Sequence, residues 1–187
     1  MKIFLSSEFV AKFPEYIRGV VIARNIDNTV EHAPLLNLLR DAEGIVRADP
    51  VLQKNPAEHP RIASWRNAFR HFGARPADDR PSIDALLRRV AKGGELAYIN
   101  TLVALMNLTA LKFLVPCGGD DLDRVEGDFG LKLATGAESF SPFNNPNAIE
   151  HPEPGEVILS DSQRVMCRKW IWRQGDPTKI LPATRNA

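Results

Sequence analysis

The sequence contains few of the residues that build disulfides and metal centres. Its 187 residues include only two cysteines and four histidines. Cys117 and Cys167 lie in apolar surroundings and lack the C-x-x-C or Cys/His spacing of a zinc site, so both are expected to be free core thiols. The sequence therefore predicts a reducing, cytoplasmic setting and gives no support for a metal or a cofactor.

Familiar catalytic and membrane signatures are also missing. The sequence has no G-x-G-x-x-G, Walker, G-x-S-x-G or H-E-x-x-H motif. Its longest apolar region, residues 96–115, contains Asn100, Asn107 and Lys112, which makes it too polar for a membrane span. Glu8 interrupts the first apolar residues, so no signal peptide is predicted. We expect a buried helix at 96–115 and no membrane partner.

Charge is distributed unevenly along the chain, although the net charge is only +1. Residues 61–92 have a net charge of +5, residues 117–161 a net charge of −8, and residues 164–185 a net charge of +5. Ordinary solvated surface would explain this distribution. The functional alternative is a basic face that binds a phosphate backbone.

Residue patterns predict strands, then helices, then strands. The expected strands are 2–5, 17–24, 122–125, 129–134, 156–160 and 164–172, and the expected helices are 29–46, 59–72, 82–92 and 98–113. Residues 49–58 are expected to form a loop, and residues 139–155, rich in proline and asparagine, a mobile loop or lid. This order predicts an α+β fold, and the length fits a single domain, 1–187.

Two asparagines and a glycine turn are candidate functional elements. Asn100 and Asn107 are two helical turns apart, and a buried asparagine needs hydrogen-bond partners, which neighbouring backbone or a substrate could supply. The sequence Gly-Gly-Asp-Asp at 118–121 could bind phosphate or a metal. A tight turn that needs positive φ explains this sequence better.

Residues 167–174 alternate basic and aromatic side chains, a composition that stacks bases and binds phosphates. On one strand, Arg168, Trp170, Trp172 and Gln174 would share a face. Two tryptophans on one face could form core under a helix or the wall of a ligand pocket, and the sequence leaves both open.

From Asn100 onwards the chain has a spaced pattern without gaps. The matching residues are Asn100, Asn107, Pro116, Asp121, Asp123, Arg124, Val125, Gly127, Ala134 and Glu138. Four other segments match as well, W-R-x-A-F at 65–69, P-S-I-x-A-L at 81–86, P-G-E at 154–156 and R-K-W-x-W-R-Q at 168–174. In these residues the chain resembles the B3/B4 domain of the phenylalanyl-tRNA synthetase beta chain, and most closely its freestanding relatives.

The resemblance implies a B3/B4-like domain in which a mixed or antiparallel sheet packs with helices and two subdomains surround a cleft. In the synthetase this domain performs editing, the hydrolysis of a mischarged amino acid ester from the tRNA 3′ end. The family's histidine, aspartate and glutamate correspond to Gly118, Ala104 and Gln174 in this chain. This chain therefore lacks the acid and the imidazole that the synthetase's hydrolytic mechanism would need.

By this resemblance we expect a protein that recognises the aminoacylated 3′ end of a tRNA and is an aminoacyl-tRNA deacylase if it is catalytic. The expected substrate-binding residues are Asn100, Asn107, Gly118, Gly119, Glu138, Trp172 and Gln174, with Arg66 and Arg173 near phosphates. One alternative is a non-catalytic module for RNA or an amino-acid-like ligand. Another is a structural partner in a complex. The amino acid, the tRNA and the oligomeric state stay open.

Overall fold

The computed structural model describes all residues from Met1 to Ala187 and shows six α-helices and a five-stranded sheet. The helices are α1 (Ser7–Lys12), α2 (Ala33–Ala48), α3 (Pro50–Lys54), α4 (Pro60–His71), α5 (Ser82–Ala91) and α6 (Thr101–Phe113). The strands are β1 (Ile3–Leu5), β2 (Phe129–Leu133), β3 (Val157–Ser160), β4 (Val165–Arg168) and β5 (Arg173–Gln174). Short 3₁₀ turns occupy Pro56–Glu58 and Leu122–Arg124.

The sheet follows the chain in the order β1-β2-β3-β4-β5. β1 runs parallel to β2, and every other neighbouring pair is antiparallel. β3 and β4 are buried along their full length, as expected for central strands covered on both faces. The predicted α+β fold with a mixed sheet is confirmed.

Two large hydrophobic cores lie in different parts of the molecule, and a smaller cluster of four residues contains Phe140. Helices α2, α3, α5 and α6 bury the first, which includes Leu39, Leu87 and Ala104. The sheet buries the second against α1 and α4, with Phe9, Phe69 and Met166 among its members. The protein therefore has a helical part and a sheet part. None of the helices is both long enough and apolar enough to traverse a bilayer.

Two segments differ from their predicted structure. Residues 17–24 do not form a strand, because only Ala23 finds a partner backbone, Ala187 (N···O 2.8 and 2.9 Å), and Ile17 is 90% exposed. Residues 49–58 are not a loop but contain α3 and a 3₁₀ turn. Asp49 and Asn55 accept hydrogen bonds at the starts of these turns, where Pro50 and Pro56 occupy the first position.

Three further predictions were wrong because local geometry overrides the residue pattern. The strand expected at 122–125 is replaced by a 3₁₀ turn at Leu122–Arg124, since the Asp121 side chain accepts a hydrogen bond from Asp123 N. The strand expected at 164–172 ends at Arg168, because Lys169 and Trp170 adopt φ values of 50° and 64°. Gly118 and Gly119 do not adopt positive φ.

Residues 139–155 are connected to the sheet at several points. Phe140 is buried, and its backbone exchanges two hydrogen bonds with Glu150 (N···O 2.9 and 2.8 Å). Val165 N donates to Ser139 O at 2.8 Å. These contacts position the segment over the end of the sheet, and its mobility stays a prediction.

Candidate functional site

A cavity of about 430 Å³ lies between β5 and residues 139–155. Its lining residues are Phe140, Pro142, Phe143, Trp172, Arg173 and Gln174. Backbone bonds join its two walls, since Phe143 N donates to Gln174 O at 3.2 Å and Asp176 N to Ser141 O at 2.9 Å. An aromatic wall with a few polar groups is typical of a small-ligand site.

Trp172 and Trp170, which the sequence placed on one face, have different environments. Trp170 is 2% exposed and belongs to the core of the sheet part. Trp172 is half-buried and lines the cavity. The left-handed backbone at Lys169 and Trp170 separates the two rings, so only Trp172 lines the cavity next to β5.

Arg173 lies at the centre of an ionic network beside the cavity. Its guanidinium donates to both carboxylate oxygens of Glu150 (Nη1···Oε2 2.6 Å, Nη2···Oε1 2.9 Å) and lies 5.4 Å from the centroid of the Phe140 ring. Arg168 bonds the same carboxylate at 2.7 Å and also Glu156. The hydrogen bond from Arg173 lowers the pKa of Glu150. Arg173 is therefore near the predicted phosphate site, but its charge is already paired.

Gln174 is hydrogen-bonded to a carboxylate behind the cavity. Its Nε2 donates to Asp120 Oδ1 at 2.9 Å, and Thr178 Oγ1 donates to the same oxygen at 2.7 Å. Burial raises the pKa of Asp120, and the bonds from Thr178 and Gln174 oppose this effect. Sequence reasoning treated Asp120 as part of a turn and did not identify Thr178. The one local sign of a functional role for Asp120 was its position directly after Gly118 and Gly119.

The two asparagines have different roles in the structure. Asn100 is buried and begins α6 as its N-cap, and its Oδ1 accepts a hydrogen bond from Val103 N at 3.0 Å. Backbone therefore supplies a partner for Oδ1, whereas the buried Nδ2 has no partner in the protein. Asn107 is half-buried within α6, and its side chain forms no hydrogen bond in the protein. Neither is among the residues that line the cavity next to β5. Substrate contact by Asn107 stays a prediction.

The two glycines of the predicted site differ in the space around them. A Cβ on Gly118 would meet nothing within 4 Å, whereas a Cβ on Gly119 would lie 2.9 Å from Met106 Sδ. Gly119 therefore allows its segment to approach α6, next to Asn107. Substrate contact by Gly118 and Gly119 stays a prediction.

Glu138 and Arg66 are both engaged by other residues of the protein. Lys132 Nζ lies 3.0 Å from the Glu138 carboxylate, which also accepts bonds from Thr135 and Gly136. Burial acts to raise the pKa of Glu138, but these donors outweigh it and hold the pKa at about 2. Arg66 pairs with the fully buried carboxylate of Asp84 and is 17% exposed. The geometry thus gives both residues structural roles, and their ligand roles stay predictions.

A second cavity, of about 530 Å³, lies between α4 and the segment that follows α1. Phe13, Tyr16, Trp65 and Trp170 are its aromatic lining, and burial raises the pKa of Tyr16. Sequence reasoning did not anticipate it, because its walls come from three distant segments.

Fold and cavity together define an α+β domain with a candidate ligand site beside an edge strand. The model of the B3/4 domain family matches residues 64–187, which is more than half of the chain. The chain therefore belongs to the B3/4 domain family, as the sequence resemblance predicted. No curated protein matches it significantly.

Proposed function

We propose that the protein binds the aminoacylated 3′ end of a tRNA in the cavity between β5 and residues 139–155. The observation that carries this proposal is the cavity itself, because its aromatic rings flank Arg173 and Gln174 in a chain of the B3/4 family. That family is linked to the beta chains of tRNA synthetases. Aromatic rings bind apolar side chains and bases, and an arginine binds phosphate.

The size of the cavity supports an aminoacyl group as the ligand. Ligand pockets typically range from about 300 to about 1,000 Å³. A cavity of about 430 Å³ has room for one amino acid side chain together with part of a ribose. Glu150 already neutralises Arg173, so we expect a phosphate to compete with that carboxylate.

Non-catalytic capture of the same ligand is the second candidate function. Ala104, at the position of the family's aspartate, is fully buried in the helical core and has no ionisable group. Gly118 and Gln174 replace the imidazole and the glutamate. Hydrolysis would need another group to activate water, and Asp120 lies one hydrogen bond behind the cavity wall.

Deacylation of a panel of mischarged tRNAs tests the proposal. We expect at least one substrate to be hydrolysed faster than in buffer, and we expect Gln174→Ala, which changes the cavity wall, to reduce that rate. Asn107→Ala reduces the rate only if the ligand also reaches α6. Gln163→Ala is the matched control, because Gln163 is exposed in the turn between β3 and β4. If no substrate turns over faster than in buffer, hydrolysis is rejected.

Binding then separates the two candidates. Fluorescence anisotropy of labelled aminoacyl-tRNA, measured over a salt series, reports the number of phosphate contacts as the slope of log affinity against log salt. Binding without turnover supports the non-catalytic module. Absence of both turnover and binding rejects the proposed function.

A further inference from the structure

The amide of Gln174 is held in one orientation by its contact with Asp120. Asp120 Oδ1 already accepts a hydrogen bond from Thr178, so it acts as an acceptor even if the carboxyl carries a proton on Oδ2. The amide therefore turns its NH₂ group toward Asp120 Oδ1, 2.9 Å away. The reversed amide would place oxygen against oxygen. Thr178 is fully buried and donates to the same Oδ1 at 2.7 Å, which fixes the position of the Asp120 carboxylate.

The other end of the amide is free. Gln174 Oε1 accepts no hydrogen bond within the protein, yet it is not among the enclosed polar atoms that lack a partner. Because Gln174 lines the cavity next to β5, this oxygen is the acceptor that the residue can offer to a bound molecule.

We infer that Asp120 is a positioning residue that makes the cavity select a ligand group that donates a hydrogen bond. Asp120 does not line the cavity and acts through Gln174. Aliphatic ammonium and hydroxyl groups are donors of the required kind, and an aminoacyl ester carries an ammonium. The identity of the ligand rests on the proposed function, whereas the orientation of the amide does not.

The first experiment measures the orientation without any ligand. In ¹⁵N-labelled protein, the Gln174 side-chain NH₂ signals are assigned by their loss in Gln174→Met. We expect these signals to exchange slowly with solvent and to shift strongly in Asp120→Asn. Asp123→Asn is the matched control, because Asp123 is exposed and bonds Asn186. Equal spectra for Asp120→Asn and the wild type would overturn the inference.

The second experiment measures selectivity with two small probes. Phenylalanine methyl ester carries an ammonium at a pH where its amine is protonated, and methyl 3-phenylpropionate lacks the amine. We expect the wild type to prefer the first about tenfold or more, since a hydrogen bond to a charged group has roughly that effect. Asp120→Asn and Gln174→Met should each abolish most of this preference, and the double variant should lose no more than either.

Comparing the single variants with the double variant shows whether Asp120 acts by positioning Gln174 or by attracting the ligand directly. If Gln174→Met keeps the preference while Asp120→Asn loses it, Asp120 acts on the ligand directly and the inference is wrong. A wild type that binds neither probe, or both equally, overturns the selectivity. A failed tRNA assay alongside a tenfold probe preference would reject the proposed function and leave the Asp120 assignment intact.

Discussion

Glu150 and Arg173 form a two-point ion pair across the end of the sheet, with N···O distances of 2.6 and 2.9 Å. The pair joins residues 139–155 to β5, so it connects the two walls of the cavity next to β5. Each side chain is 35% exposed, which leaves the pair accessible to water and to a competing anion.

Replacing Glu150 by glutamine should destabilise the protein and expose the positive charge of Arg173. Arg168 keeps its bonds to Glu156, so we expect the free energy of unfolding to fall by only about 1 to 2 kcal/mol. Urea unfolding measures this change. Glu153→Gln is the control, because Glu153 is exposed in the same segment and forms no ion pair. Equal stability of the two variants would contradict a structural role for the pair.

Replacing Asn100 by alanine should remove the N-cap of α6. The loss of a cap costs about 1 kcal/mol, which thermal unfolding detects. Asn107→Ala is the comparison, because the Asn107 side chain makes no hydrogen bond and its loss should change stability by less than about 0.5 kcal/mol. If Asn107→Ala unfolds as easily as Asn100→Ala, the prediction is wrong. A lower activity of Asn107→Ala would then reflect lost stability and not a lost ligand contact.

Replacing Arg66 by alanine tests whether this residue supports the fold or binds phosphate. The Asp84 carboxylate is fully buried and pairs with Arg66 and with Arg88 (Nε···Oδ1 2.8 Å). With Arg88 still present, we expect a loss of about 3 kcal/mol. Arg70→Ala is the control, since Arg70 is exposed and bonds only Asn67. A loss below about 1 kcal/mol would leave Arg66 available for RNA.

Acid should weaken the fold partly through Glu138. Its pKa is about 2 in the folded protein and 4.5 as the ordinary value, so the unfolded chain binds the proton more readily. The stabilisation is fully present above pH 4.5 and is lost as the pH falls towards 2. Chemical unfolding at several pH values should show a shallower dependence in Glu138→Gln than in the wild type. If the free energy of unfolding has the same pH dependence in both proteins, Glu138 does not contribute to the acid sensitivity.

Local patterns in the sequence predicted most helices and the central strands. α4 is an example, because apolar residues recur at helical spacing between the cap His59 and Gly73, whose φ is +89°. The strand predicted at 17–24 does not form, because a local pattern alone is not sufficient for a strand. Its residues favour a strand, but no neighbouring strand lies beside them, and strand formation depends on pairing.

The candidate site could be predicted only in part. Trp172, Arg173 and Gln174 are consecutive, so their composition was visible in the sequence. Phe140 and Asp120 reach them through tertiary contacts that no local spacing encodes. Trp170 shows the limit most clearly, because its left-handed backbone moved it from the predicted shared face into the core.

The parallel pairing of β1 with β2 has a consequence for the order of folding. Ile3 lies opposite Phe129, so the helical part of the chain separates the two strands in sequence. Closing so long a loop costs entropy, whereas α2 to α6 make contacts over shorter separations. Pulse-labelled hydrogen exchange should therefore show protection of α2 and α6 before β1. During synthesis, β1 would therefore stay unpaired until β2 had left the ribosome.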